Sequence, residues 1–308
     1  MNNQLNKPKG FGEILDQTFR ISKYKFKDFF IILLMLVGPI YLLQAIIDLA
    51  SGKNFLRQEA TGENWYETMM SNFEFAEASS TNLAADLGFA FLSLIVLFTY
   101  PIAQAAILIG VNHLKENRDF TIGSLIKQAI SRFFPMIGST IIYVLIALGI
   151  FIGLLFTGIF SSMIFIVVEF IIGTILSIVI WIGLFLIGAF LLTRWSFYFG
   201  SVVLDRNSPG LTRSWRLSKG RSFKLIGLYM IFIFITFSIG IALQLSFQAF
   251  LGDSVLLGLI VSFTTLVTTL IMAVGYAVMY LDLKVRHDAD DLIDLIDDYH
   301  TSRIDDVL

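Results

Sequence analysis

The chain has 308 residues, 56% of them hydrophobic and 15% charged, with a mean hydropathy of +0.78 and a formal net charge of −2 at pH 7. Soluble domains carry charge on about a quarter of their residues, so this composition points to an integral membrane protein. The absence of cysteine excludes disulfides, thiolate catalysis and cysteine metal ligation.

Residues 1–28 form a polar, basic N-terminal segment. From Phe11 to Phe30 the chain reads FGEILDQTFRISKYKFKDFF, in which Phe11, Ile14, Leu15, Thr18, Phe19 and Ser22 recur at helical spacing. Such a helix belongs in the membrane interface, with its basic residues toward anionic headgroups. Crossing a hydrocarbon core of about 30 Å takes roughly 20 apolar residues at 1.5 Å each. Six stretches meet that length, at 29–49, 87–111, 136–159, 163–193, 225–246 and 255–281. None alternates like an outer-membrane barrel strand, so all six read as helices. The first follows 28 mostly polar residues with no small-residue cleavage site, and it is expected to be a retained span and not a signal peptide.

The 50–86 loop interleaves Trp65, Tyr66, Met69, Met70, Phe73 and Phe75 with glutamates, as expected of a helix lying on the outer surface, either as a cap or as a binding loop. A second amphipathic stretch, FTIGSLIKQAISRFFP from Phe120 to Pro135, precedes the third span. Between Pro135 and Thr193 the only charge is Glu169, which suits two spans joined by a tight turn near Thr157 to Ser162. Gly149 and Gly153 in the third span form a GxxxG, open to packing against span four or to a dimer contact. A third basic stretch, LTRSWRLSKGRSFKL from Leu211 to Leu225, precedes span five. The three stretches have two readings: a pseudo-threefold repeat of interfacial helix plus hairpin, or the amphipathic basic character common to loops that feed membrane helices. The last segment, 282–308, opens with Lys284 and Arg286 and continues as an acidic helix, which should pack on a basic loop of this chain or on a basic partner.

All 22 lysines and arginines except Lys53 and Arg57 fall in the segments 1–28, 112–134, 194–224 and 282–308. Translocating Lys and Arg is unfavourable, so these four segments share the cytoplasmic side. The predicted fold class is therefore all-α integral membrane, with six transmembrane helices as three hairpins, each preceded by an amphipathic interfacial helix, and both termini cytoplasmic. The expected location is a bacterial cytoplasmic membrane.

His113, His287 and His300 show no metal-ligand spacing, and no phosphate-binding loop or nucleophile elbow is present, so no catalytic, cofactor or metal residue is assigned. Asp48 lies 19 residues beyond Phe29 and Glu169 lies 25 residues before Arg194, about 28 and 37 Å along their helices, which places both at the outer interface. The helix-breaking positions are Pro39 and Pro101. With Gln44 and Gln104 they define a polar cleft, or they are structural kinks satisfied by neighbouring helices. Arg213, Trp215, Arg216, Lys219 and Arg221 are the candidate contact for lipid headgroups or a protein partner, and no nucleic-acid partner is expected.

The stretches Gly12 to Pro39, Val202 to Leu228 (VVLDRNSPGLTRSWRLSKGRSFKLIGL) and Met279 to Leu292 (MYLDLKVRHDADDL), in that order, resemble bacterial integral membrane proteins grouped with the membrane domain of glycerophosphoryl diester phosphodiesterase. The resemblance implies architecture more than activity. The namesake enzyme carries a separate catalytic barrel with a histidine and acidic metal site, for which this sequence has no matching motif, and members without the barrel are associated with transport or envelope maintenance. The expected function is non-enzymatic, related to transport or export or as a membrane partner of a transport or envelope-stress system. A lipid-active enzyme and a structural scaffold are the alternatives.

Overall fold

The computed structural model describes residues 7–56, 83–168 and 170–305, with side chains described as far as His287. The aromatic positions from Trp65 to Phe75, Arg57, Glu169 and the acidic face of the tail, including His300, lie outside what is described. Among the described residues every regular element is a helix. In chain order these are α1 (Phe11–Tyr24), α2 (Phe26–Leu36), α3 (Gly38–Ala50), α4 (Leu83–Lys115), α5 (Ile122–Ile130), α6 (Phe133–Val168), α7 (Phe170–Trp195), α8 (Tyr198–Val203), α9 (Leu211–Leu217), α10 (Ser222–Leu251) and α11 (Val255–Asp305). Five of them are long and apolar enough to cross a membrane, and α2 with α3 makes a sixth if that pair, bent by 49°, counts as one span.

The bend has a local cause. Pro39 sits in the first turn of α3, where its missing N–H costs nothing to the new helix but cannot continue the ladder of α2. Pro101, by contrast, lies inside the unbroken α4.

The chain divides into two compact units. One comprises 12–131 and 230–278, the other 1–11, 132–229 and 279–308. In the first unit the C-terminal half of α4 is buried from Ala103 to Val111, apart from the half-buried Gln104. Small residues allow this: an added Cβ at Gly110 would stand 2.8 Å from the Phe29 ring and 3.1 Å from Leu125 of α5. Phe29 stacks on Phe120, and Lys25 lies 5.1 Å over the same ring. The start of α5 is fixed by a capping box between Thr121 and Ser124. Helix α1 buries Ile14, Gln17, Thr18, Ile21 and Ser22. Of the stripe read in the sequence, Ile14, Thr18 and Ser22 are buried and Leu15 is half-buried, while Phe11 and Phe19 are exposed.

At one end of this unit Lys53 pairs with Asp48 at 3.2 Å and with Asp253 at 3.4 Å. The backbone N–H groups of Val255 and Leu256 donate to the carbonyls of Asn54 and Phe55. One of the two basic residues that depart from the charge asymmetry is therefore neutralised by two carboxylates. Burial opposes the Lys53 charge, but Asp253 and Asp48 outweigh it and raise the ammonium pKa above its ordinary value.

In the second unit α6 and α7 run antiparallel. Leu154 meets Gly188, Trp181 lies on Gly158, and the Trp181 Nε1–H donates to Ser162 Oγ at 3.1 Å. Gly173 packs directly on the Phe165 carbonyl. The sequence places the turn at 157–162, but the helix runs through it and breaks only beyond Val168. The physical reason is that Thr157 donates to the Gly153 carbonyl and Ser161 and Ser162 to that of Gly158, so these hydroxyls are satisfied within the helix and need no turn. The GxxxG expectation also moves: a Cβ at Gly149 or Gly153 meets nothing within 4 Å, whereas Gly158 takes the Trp181 ring with its Cβ position 2.6 Å from Cζ2. Of the apolar window of α6 only 6% is buried, against 50% for α4, so the outer faces of this pair are suited to lipid. Beyond α7 the chain forms the wholly buried α8, an element not expected from the sequence. The third amphipathic entrance reduces to the seven-residue α9.

Replacing Gly158 by leucine is expected to lower stability by about 1–3 kcal/mol through overpacking against Trp181, while leucine at Gly149 or Gly153 leaves the melting temperature in detergent unchanged. Lys53→Ala should cost about 1 kcal/mol or less, the range for exposed pairs, read from the same thermal unfolding. The raised Lys53 pKa means that its contribution is complete below about pH 10, the ordinary lysine value, and fades as pH rises through the higher folded value.

Candidate basic docking surface

Within the second unit, the basic segment 194–224, the start of the tail and Lys9 meet around two buried aspartates. Asp205, whose side chain is 7% exposed, accepts from Arg213 Nε at 2.5 Å, Lys284 Nζ at 2.6 Å and the Tyr280 hydroxyl at 2.5 Å. Tyr280 and Lys284 are one helical turn apart on α11 and so address the same carboxylate. The Tyr280 ring lies flat against Gly200 of α8, where no Cβ would fit. Gly210, at φ +75°, closes the loop between α8 and α9, and a Cβ there would come 2.6 Å from the Tyr198 carbonyl.

Asp282, 3% exposed, accepts from the backbone N–H of Lys9 at 2.6 Å and from Arg286 Nε at 3.0 Å, with Lys224 Nζ at 3.9 Å. The Lys9 carbonyl in turn accepts from Lys224 Nζ and Arg286 Nη2, both at 2.6 Å. One peptide group of the N-terminal segment is thereby held on both its donor and its acceptor side.

Burial of a carboxylate disfavours its charge, and here specific donors reverse the balance. For Asp205 desolvation raises the pKa, but Lys284, Tyr280 and Arg213 together hold it below the usual aspartate value. The Arg213 guanidinium shifts the other way: burial opposes its charge, and Asp205 and Tyr280 raise its pKa.

A second set of contacts pins α9 to the end of α7. The Arg194 guanidinium stands 3.6 Å from the centre of the Trp215 ring and donates to the Trp215 carbonyl at 3.0 Å. Trp215 also packs on Trp195, with ring centroids 5.0 Å apart. Ser214 Oγ donates to the Arg194 carbonyl at 2.7 Å and accepts from the Phe197 N–H at 3.0 Å.

The five basic-surface residues read from the sequence thus divide. Arg213 and Trp215 have structural partners within the unit, whereas Arg216 and Lys219 are exposed and Arg221 is half-buried, with no ion pair among the described residues. The Lys219 N–H donates to the Arg216 carbonyl, which places the two side chains on one tight turn. Arg206 is a further exposed cation that the sequence reading did not select, on a loop residue at φ 58°. Phe223, 81% exposed, stands at the adjoining start of α10 and meets Phe190 with ring centroids 6.0 Å apart. Cations beside exposed aromatics are the chemistry of a membrane–water boundary.

The other four sequence-selected residues lie in the first unit. Pro39 lines an apolar groove of about 450 Å³ with Leu34, Tyr41, Leu42, Phe263 and Leu266, while Gln44, Pro101 and Gln104 are half-buried outside that groove's lining. No family model, no curated protein and no solved structure matches this chain. Among the described residues no three His, Asp or Glu side chains are grouped to hold a metal ion.

The two buried aspartates were not singled out in the sequence, although one signal was present. Asp282 and Arg286 stand four apart on a helix, in the orientation that forms an ion pair. Asp205→Asn is expected to cost about 2–3 kcal/mol, less than a fully buried pair because Arg213 and Lys284 reach solvent at 26% and 29% exposure. A folded pKa below the unfolded value means that the stability from Asp205 is complete above about pH 4 and lost as pH falls through the lower folded value. Acid titration of wild type and Asp205→Asn, followed by tryptophan fluorescence from Trp195 and Trp215, should show this transition in wild type alone.

Proposed function

We propose that this chain is a non-enzymatic multi-pass protein of a bacterial cytoplasmic membrane, acting in transport or export by docking anionic lipid headgroups at its basic face. In this reading α2 with α3, α4, α6, α7, α10 and α11 are six spans in three hairpins, with both termini cytoplasmic. The distribution of Lys and Arg and the resemblance to the phosphodiesterase-associated membrane proteins support that placement.

The observation that carries the docking role is the division of the cations. Arg213, Lys224, Lys284 and Arg286 serve two buried aspartates, while Arg216 and Lys219 are exposed, close in sequence to Trp215 and the exposed Phe223. Exposed cations with no ion pair among the described residues, close in sequence to aromatics, suit an external anion. The same saturation argues against a lipid-active enzyme built on Asp205, because a carboxylate held by several donors in its charged form is a poor general base or acid.

Each cation near an anionic surface contributes about 1 kcal/mol, so Arg216→Gln and Lys219→Gln should each lower retention of phosphatidylglycerol or cardiolipin about fivefold. Native mass spectrometry of the purified protein reads this directly. Equal retention by the double variant and wild type would sink the docking role. A structural scaffold would instead show unchanged flux with failed assembly of another membrane complex on deletion.

A further inference from the structure

Two clefts of similar size open sideways from pairs of apolar helices, and their linings differ in kind. The one between α6 and α7, about 330 Å³, is faced by Leu154, Trp181, Phe185 and Leu192 and suits an acyl chain. The one between α10 and α11, about 390 Å³, is faced by Thr236, Gln244, Thr264, Thr265 and Thr268. Counted from Asp253 at 1.5 Å per residue, Thr264 and Thr268 lie about 16 and 22 Å along α11, within the depth of a core of about 30 Å.

The hydroxyl hydrogens in this cleft are already committed. Thr236, Thr264 and Thr265 each donate to the carbonyl four residues earlier at 2.9 Å, and Thr268 donates to that of Thr264 at 3.1 Å. A hydroxyl that has given its one hydrogen keeps its lone pairs, so the threonines form an acceptor surface. Gln244 is exposed at the same cleft and adds an amide. Gly240 keeps the space open, since a Cβ there would meet nothing within 4 Å. Each threonine is satisfied within its helix but keeps a free lone pair, which an O–H donor can use and an acyl chain cannot. Among the described residues no carboxylate lines the cleft, so a charged ammonium would lack its counter-ion and a neutral O–H donor fits better.

We propose that the α10–α11 cleft binds the hydroxyl-bearing headgroup of a neutral amphiphile, such as a glycerol headgroup, entering laterally from the bilayer. Its O–H groups donate to the threonine oxygens and its chain runs beside Ile233 and Phe237. This requires only that α10 and α11 cross the membrane and is independent of the basic face.

The test uses the full chain in liposomes and a monoacylglycerol carrying a diazirine in its acyl chain, beside the same probe with both hydroxyls methylated. The monoacylglycerol should label 233–244 and 261–268 saturably, and the methylated probe at least tenfold less, while both label the α6–α7 groove equally. Thr264→Val with Thr265→Val, nearly isosteric, and Gly240→Leu, which fills the cleft, should each reduce labelling about tenfold. Competition by membrane lipid extract assigns the natural source to the bilayer, and competition by free monoacylglycerol alone assigns it to an external amphiphile. Equal labelling by the two probes, no saturable labelling, or full labelling of the variants overturns the proposal.

Discussion

The burial of two carboxylates in the second unit is the constraint on which its organisation depends. An aspartate out of water is tolerable only if enough donors converge on it, and those donors come from distant parts of the chain. Asp205 draws in α9 through Arg213 and α11 through Lys284 and Tyr280. Asp282 draws in Lys9 and Arg286, with Lys224 at the rim. Membrane helices gain no hydrophobic drive from one another in lipid, so polar contacts of this kind are well suited to fixing which segments meet. The α6–α7 pair illustrates the contrast, with close glycine contacts along its seam and apolar side chains outward elsewhere.

Much of the helical plan was legible because it rests on length and hydropathy, which are properties of contiguous residues. The long apolar helices appear where the composition places them, and the break at Pro39 follows from its missing donor. The departures share one cause, namely satisfaction by a partner that is close in space but carries no mark in the sequence. Thr157, Ser161 and Ser162 looked like a turn because hydroxyls are common in turns, yet each bonds its own helix. Gly149 and Gly153 have the familiar spacing, but the contact with the facing helix goes to Gly158, whose partner is a tryptophan 23 residues away.

The basic surface shows the same limit. In sequence Arg213, Arg216, Lys219 and Arg221 are equivalent members of one cluster, and only the position of Asp205 separates the structural cation from the exposed ones. Asp205 itself carries no periodic signal, since a single acidic residue in a basic loop reads as ordinary solvated charge. The threonine-lined cleft was equally hidden, because threonines spaced along apolar helices are common and their convergence brings together positions 28 to 32 residues apart on α10 and α11.

The clamp at Lys53 has a consequence for the order of assembly. Its second carboxylate, Asp253, lies 200 residues further along the chain. When the loop after α3 first emerges from synthesis, Asp48 is the one of these two carboxylates already made, and the neighbouring carbonyls of Asn54 and Phe55 have no Val255 or Leu256 to accept from. The end of the first unit therefore stays unlatched until the turn between α10 and α11 has been made, and the lysine serves as a late bolt that records completion of the helices in between.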